Sequence, residues 1–71
     1  MNKYLVLFKA NGLTIAELEM ADLPCAEDFV VVNYVKYTIH GFNWVVSAHF
    51  DGEATLQRVE IPLREVGRYH G

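Results

Sequence analysis

Apolar and polar residues alternate with a period of two over much of this chain, and this period is typical of half-buried β-strands. The densest apolar stretch, residues 29–50, is rich in Val, Ile, Tyr, Phe, Trp and Thr, the residue types that favour strands. It predicts a short strand from residue 29, a turn at residues 33–34 and a long strand over residues 35–50. We expect the rest of the chain to be organised around this stretch.

An Asn-Gly pair at residues 11–12 separates two apolar segments, residues 4–10 and 13–20. Because a type I′ turn requires positive φ at both central positions, this pair indicates a β-hairpin. The alternation in the second segment directs its apolar side chains inward and its carboxylates outward. The predicted inward residues are Ala16, Leu18 and Met20, and the predicted outward residues are Glu17 and Glu19.

A helix competes for residues 14–22. Thr14 and Glu17 have the spacing of a capping box, and Ala16, Met20 and Leu23 would form a helical apolar stripe. The strand is favoured because the Asn-Gly turn requires an antiparallel neighbour. The fold class is therefore all-β, or α+β if residues 14–22 are helical.

A single glycine, Gly41, divides the long central strand into two apolar phases. Before it Tyr37 and Ile39 point inward. A change of phase by one residue at a glycine indicates a β-bulge or a bend, which would let one strand serve two sheets. The inward residues after Gly41 are then Phe42, Trp44, Val46, Ala48 and Phe50.

A second turn signal, Asp51-Gly52, precedes a last predicted strand over residues 53–63. Its inward residues are Val59, Ile61 and Leu63, and its outward residues are Arg58 and Glu60. Pro62 indicates an edge position or the end of the strand, and residues 64–71 are expected to be a polar tail. The whole chain, residues 1–71, is one domain: a five-stranded antiparallel β-barrel or roll, of the OB-like or Src-homology-like kind.

The order of features resembles a pattern found in small β-barrel proteins of bacteriophages and related mobile elements. The features that carry the likeness are the first strand, the Asn-Gly turn, IAELEM, a Pro-containing loop, FVVVN and VKYTIHGFNWVV. This chain has Asn33-Tyr34 where such proteins often have a glycine in the turn. The resemblance implies a compact barrel and carries no established activity. Our interpretation is a module that is encoded by a mobile element and acts on a host protein.

Composition adds an expectation about assembly. The 71 residues are 52% hydrophobic and 13% aromatic, and the single cysteine excludes an internal disulfide. So small a domain cannot easily hide this much apolar surface. The first strand is also apolar on both faces, which a solvent-exposed edge strand should not be. We therefore expect a homo-oligomer whose interface includes Leu5, Leu7 and Val45.

Charge and cysteine usage narrow the class of partner. The net charge is −3, the acidic residues are concentrated at residues 17–28, and no Lys or Arg occurs between residues 10 and 35. This distribution does not favour binding to a nucleic-acid backbone. The lone Cys25 indicates a reducing compartment, and the sequence predicts no signal peptide and no membrane span. The expected location is the cytoplasm.

Residues with catalytic potential do not form a recognisable centre. His40 and His49 are too far apart along one strand to share a metal ion. Cys25 has acidic neighbours that oppose thiolate formation. Glu17 and Glu19 fit a solvent-facing strand better than an acid–base pair. We predict no catalytic residue, no metal site and no cofactor.

The function that the sequence favours is that of a non-enzymatic binding module with a protein partner. The alternative is an oligomeric binder of a small ligand or nucleotide, with a pocket between subunits built from aromatic residues and arginines. Candidate ligand-binding residues are Trp44, Tyr34, Arg58 and Arg64. Convergence of Arg58, Arg64 and Arg68 on one cleft would favour an anionic ligand.

Overall fold

A computed structural model of the chain describes residues 3–69, which form six β-strands and no helix. The predicted all-β class is therefore confirmed, and the helical alternative for residues 14–22 is wrong. The strands are β1 (Tyr4–Ala10), β2 (Leu13–Met20), β3 (Phe29–Val32), β4 (Val35–Ile39), β5 (Asn43–Ala48) and β6 (Ala54–Arg68).

The strands form one curled sheet that closes about half of a barrel. The order across the sheet is β2-β1-β6-β4-β3, and β5 pairs with β6 beside β4. β1 and β6 are parallel, and the other pairs are antiparallel. Because β1 lies between β2 and β6, it is an interior strand, and a strand that is apolar on both faces is expected in such a position.

Two tight turns fix the register of the hairpins. Asn11 and Gly12 have φ values of 53° and 79°, and Asn33 and Tyr34 have φ values of 50° and 65°. Positive φ at both central residues defines type I′ turns, so the predicted hairpin at residues 11–12 and the predicted turn at residues 33–34 are confirmed. In β2 the carboxylates of Glu17 and Glu19 face outward, opposite Leu7 and Leu5.

The core is small and comes from three strands, β1, β4 and β6. The buried side chains are Val6, Phe8, Ala10, Tyr37, Ile39, Val59, Ile61 and Leu63. This confirms the inward phase that the sequence predicts for these positions of β4 and β6. Hydrophobic side chains of β2, β3 and the loop between them pack against this core from the concave side.

Pro62 lies inside the longest strand, contrary to the expectation that it marks an edge or a strand end. Its carbonyl oxygen accepts a hydrogen bond from the backbone N–H of His40 at 3.0 Å, so the missing N–H of Pro62 faces the same side. That side is the gap at residues 40–42, between β4 and β5. β6 continues through residues 64–68, which were predicted to be a tail. Residues 70–71 of that tail lie outside the described residues.

The long central strand is divided at this gap. Ile39 pairs with Leu63 and Trp44 pairs with Val59, so five steps along one strand match four along the other. The extra residue produces the change of phase predicted at Gly41, whose φ is 152°. The strand ends at Ala48, short of the predicted residue 50.

The hairpin of β5 and residues 54–58, called here the arm, extends beyond the core. The Cα radius of gyration is 13.8 Å and the molecule measures 50 × 27 × 18 Å, whereas a compact chain of this length would have a radius of about 11 Å. Trp44 and Val46 lie on the predicted face of the arm, but both are 51% exposed. Phe50, predicted to point inward, is fully exposed in the turn.

Candidate functional site

The open side of the half-barrel forms an apolar groove between β2 and β3. These strands follow one another in the chain, but they occupy opposite ends of the sheet, and within residues 3–69 each pairs with one neighbour only. The groove has a volume of about 510 Å³, within the range of protein ligand sites. Its lining residues are Phe8, Ala16, Leu18, Met20, Pro24, Phe29, Val30, Val31, Val32 and Asn33.

The backbone of β3 presents unpaired hydrogen-bonding groups to this groove. The N–H of Ile39 donates to Asp28 O and the N–H of Glu27 donates to Ile39 O, both at 3.0 Å. Since hydrogen-bonded and non-hydrogen-bonded pairs alternate along an antiparallel ladder, Val30 bonds to β4 and Val31 does not. The N–H and C=O groups of Phe29 and Val31 therefore point to the free edge of β3.

The two rims of the groove differ in charge. Glu17 and Glu19 project from the outer face of β2, and both are exposed. On the opposite rim Lys36 lies over the Phe29 ring, with its Nζ 4.0 Å from the ring centroid. Residues 10–35, which supply nearly all of the groove, carry five carboxylates and no Lys or Arg. The groove is thus apolar inside and acidic along the β2 rim.

The four predicted ligand-binding residues are spread over the molecule. Trp44 packs edge-to-face against Tyr4, with ring centroids 5.8 Å apart and an interplanar angle of 85°. Tyr34 is 74% exposed in the turn between β3 and β4. Its carbonyl accepts a hydrogen bond from Tyr69 N, near the far end of β6. The described residues do not bring Trp44 and Tyr34 into one pocket.

The arginines lie along β6 and do not converge on a cleft. Arg58 is ion-paired with Glu60 on the convex face. Arg64 pairs with Thr38 on the same face, about 20 Å further along the strand at ~3.3 Å per residue. Arg68 pairs with Val35, and a bulge at residues 66–67 turns it to the other face. This spread does not favour the alternative of a nucleotide pocket.

A second, more polar cavity of about 350 Å³ lies where β4 meets β6 and the loop before β3. Glu27, Thr38, Ile39, His40 and Arg64 line it. Glu27 has a φ of 70°, which is uncommon for a residue with a side chain. The cavity brings together one predicted ligand residue, Arg64, and one histidine that the sequence analysis considered for metal binding.

The predicted interface residues Leu5, Leu7 and Val45 share the convex face of the sheet. Leu5 is 36% exposed, and Leu7 and Val45 are half-buried. Among them lies an ion-pair network in which Arg58 Nε donates to Glu60 Oε2 at 2.8 Å and Lys9 Nζ lies 3.8 Å from Glu60 Oε1. The hydrogen bond from Arg58, helped by the charge of Lys9, lowers the pKa of Glu60 below its ordinary value of 4.5.

The remaining chemically reactive side chains are dispersed. His40, His49 and the free Cys25 are exposed, and the N–H of Cys25 donates to Asp28 Oδ2 at 3.1 Å. Within residues 3–69 no three His, Cys, Asp or Glu side chains are grouped closely enough to hold a metal ion. The same residues contain no helix long and apolar enough to cross a membrane.

Sequence reasoning missed the groove because it assumed that the sheet closes. The segment FVVV, residues 29–32, contained a signal, because it is apolar on both faces and only four residues long. One neighbouring strand cannot bury both faces of such a segment.

Comparisons of the chain with protein-family models, with curated proteins and with solved structures found no match.

Proposed function

We propose that this chain is a non-enzymatic binding module that takes up an extended segment of another protein in the groove between β2 and β3. The segment would add a strand to the sheet, so that main-chain hydrogen bonds supply affinity and alternate side chains supply specificity. The observation that carries this proposal is the pairing of an apolar groove with an unpaired strand edge. We place the module in the cytoplasm, in keeping with its exposed free cysteine.

Three features support strand addition over binding of a small molecule. Among the strands formed by residues 3–69, none pairs with the free edge of Phe29 and Val31. The lining of the groove is mostly aliphatic. Large apolar side chains on its walls stay exposed, with Leu18 and Val31 at 42% and Phe29 at 58%. Apolar surface of this kind on a small domain marks an interaction site.

The test uses one substitution that removes a single edge donor. Val31→Pro deletes an N–H that faces the groove and leaves the β3–β4 ladder intact, since proline is tolerated on an edge strand with its N toward solvent. Val31→Ala is the matched control, because it shortens the side chain and keeps the N–H. Random heptapeptides are selected by display on the wild-type protein and their affinities are then measured against both variants.

Strand addition predicts that selected peptides bind Val31→Ala nearly as well as wild type and bind Val31→Pro at least about fivefold more weakly, as expected for the loss of a hydrogen bond. Amide chemical shifts should move in residues 13–20 and 29–32. Equal binding to the two variants, or shift changes confined to the arm or the convex face, would contradict the proposal.

A further inference from the structure

The two rims of the groove impose different requirements on the two faces of an added strand. Successive side chains of a strand point to opposite faces of a sheet. Inward side chains of the occupant would therefore meet Phe8, Leu18 and Val30, which the register places on the concave face. Its outward side chains would lie beside Glu17 and Glu19, the outward positions of β2.

These outward neighbours are carboxylates that form no salt bridge with any other residue in the range 3–69. β1 offers Leu7 and Leu5 as the cross-strand partners of Glu17 and Glu19, and neither leucine can balance their charge. Opposite charges on directly neighbouring strands are favourable and like charges are unfavourable. On the β3 side Val31 faces outward and can cover the aliphatic stem of a long basic side chain, whereas the Phe29 ring is already covered by Lys36, whose Nζ lies 4.0 Å from the ring centroid.

We propose that the occupant is an extended segment in which apolar side chains, directed inward, alternate with Lys or Arg side chains, directed outward against Glu17 and Glu19. This inference rests on the proposed function, because it specifies the chemistry of the partner for the same groove. It predicts a partner with a cationic, amphipathic strand, and it excludes acidic segments of equal apolar content.

Three N-acetylated heptapeptides test the inference, with valine alternating with Lys, with Gln or with Glu. Each is titrated into the isotope-labelled protein, and affinity is measured from the amide shifts of residues 13–20 and 29–32. We expect the Lys peptide to bind about three- to tenfold more tightly than the Gln peptide, and the Glu peptide to bind more weakly than both. The preference for Lys should shrink as salt is added.

Variants of the β2 rim test whether Glu17 and Glu19 cause the preference for the Lys peptide. Glu17→Gln/Glu19→Gln should bring the Lys and Gln peptides to within about twofold of one another, and both side chains are exposed, so the fold should be unaffected. Glu53→Gln, an exposed carboxylate near the turn of the arm, should leave the preference unchanged. A preference that survives the double rim variant would overturn the inference.

The remaining outcomes separate this inference from the proposed function. If the Lys and Gln peptides bind the groove of the wild-type protein equally, the charge requirement is wrong and strand addition stands. If none of the three peptides shifts the groove amides, both the groove as a strand-binding site and its charge preference are overturned.

Discussion

The backbone N–H of His40 donates to the carbonyl oxygen of Pro62 across the gap that divides β4 from β5. Proline has no N–H, so Pro62 cannot donate a hydrogen bond back across the gap. The pairing of β6 with the divided strand is therefore weakest where the extra residue of the bulge lies. The break, the bulge and the positive φ of Gly41 are thus parts of one arrangement, and Gly41 is the part most easily tested.

Gly41→Val should lower the free energy of unfolding by more than about 1 kcal/mol, because a β-branched residue rarely adopts a φ of 152°. A Cβ atom at this position would meet no atom within 4 Å outside the two neighbouring residues, so the expected cost comes from the backbone conformation. Urea unfolding followed by Trp44 fluorescence measures the effect. His40→Val, which adds the same side chain one residue earlier, is the control, and an equal loss in both variants would contradict the bulge interpretation.

Tyr34→Gly should raise the free energy of unfolding by about 0.5–1 kcal/mol. Tyr34 occupies the second central position of a type I′ turn at a φ of 65°, where glycine is preferred and a side chain is strained. Tyr34→Ala keeps the Cβ atom and should show no such gain. Thermal unfolding of the three proteins decides the question, and a glycine variant no more stable than the alanine variant would count against the strain.

Glu60→Gln should destabilise the protein at neutral pH and have less effect in acid. The pKa of Glu60 is lowered from its ordinary value of 4.5 in the folded protein. The ionised carboxylate therefore stabilises the fold when the pH is above 4.5. That contribution is lost as the pH falls through the lowered pKa. Unfolding by urea at pH 7 and at pH 3 measures the difference, with the exposed Glu53→Gln as control. A gap between wild type and Glu60→Gln that is equally large at both pH values would argue against this role.

If the convex face with Leu5, Leu7 and Val45 is a subunit interface, as we propose, the protein is a homo-oligomer in solution. Light scattering after size exclusion should give a multiple of 8.1 kDa at micromolar concentration. Leu5→Glu/Val45→Glu should reduce it to a monomer, because charges would replace apolar side chains at the contact. Val66→Glu, at an exposed position outside this patch, should leave the mass unchanged. A wild-type mass of 8.1 kDa across a wide concentration range would refute the oligomer.

Local signals in the sequence were enough to predict the hairpins and much of the core. Asn11-Gly12 fixes a turn through its own backbone preferences, and the alternation around Glu17 fixes the face of β2 that is buried. The parallel pairing of Val6 with Val59 is different, because it joins strands from the two halves of the chain and leaves no local mark. The groove could not be predicted for the same reason, since it depends on which strand edges remain apart after the sheet has curled.

The position of β6 determines the order in which this sheet can assemble during synthesis. β6 is the last of the six strands that residues 3–69 form, yet β1, β4 and β5 all pair with it. The hairpins β1–β2 and β3–β4 leave the ribosome first, at about 5–20 residues per second, and they have no shared neighbour until residues 59–63 follow. The apolar faces of the two hairpins therefore stay exposed until β6 has been synthesised. A nascent chain that stalls before Val59 would hold two separate hairpins without the strand that joins them, so their apolar faces would stay exposed to solvent.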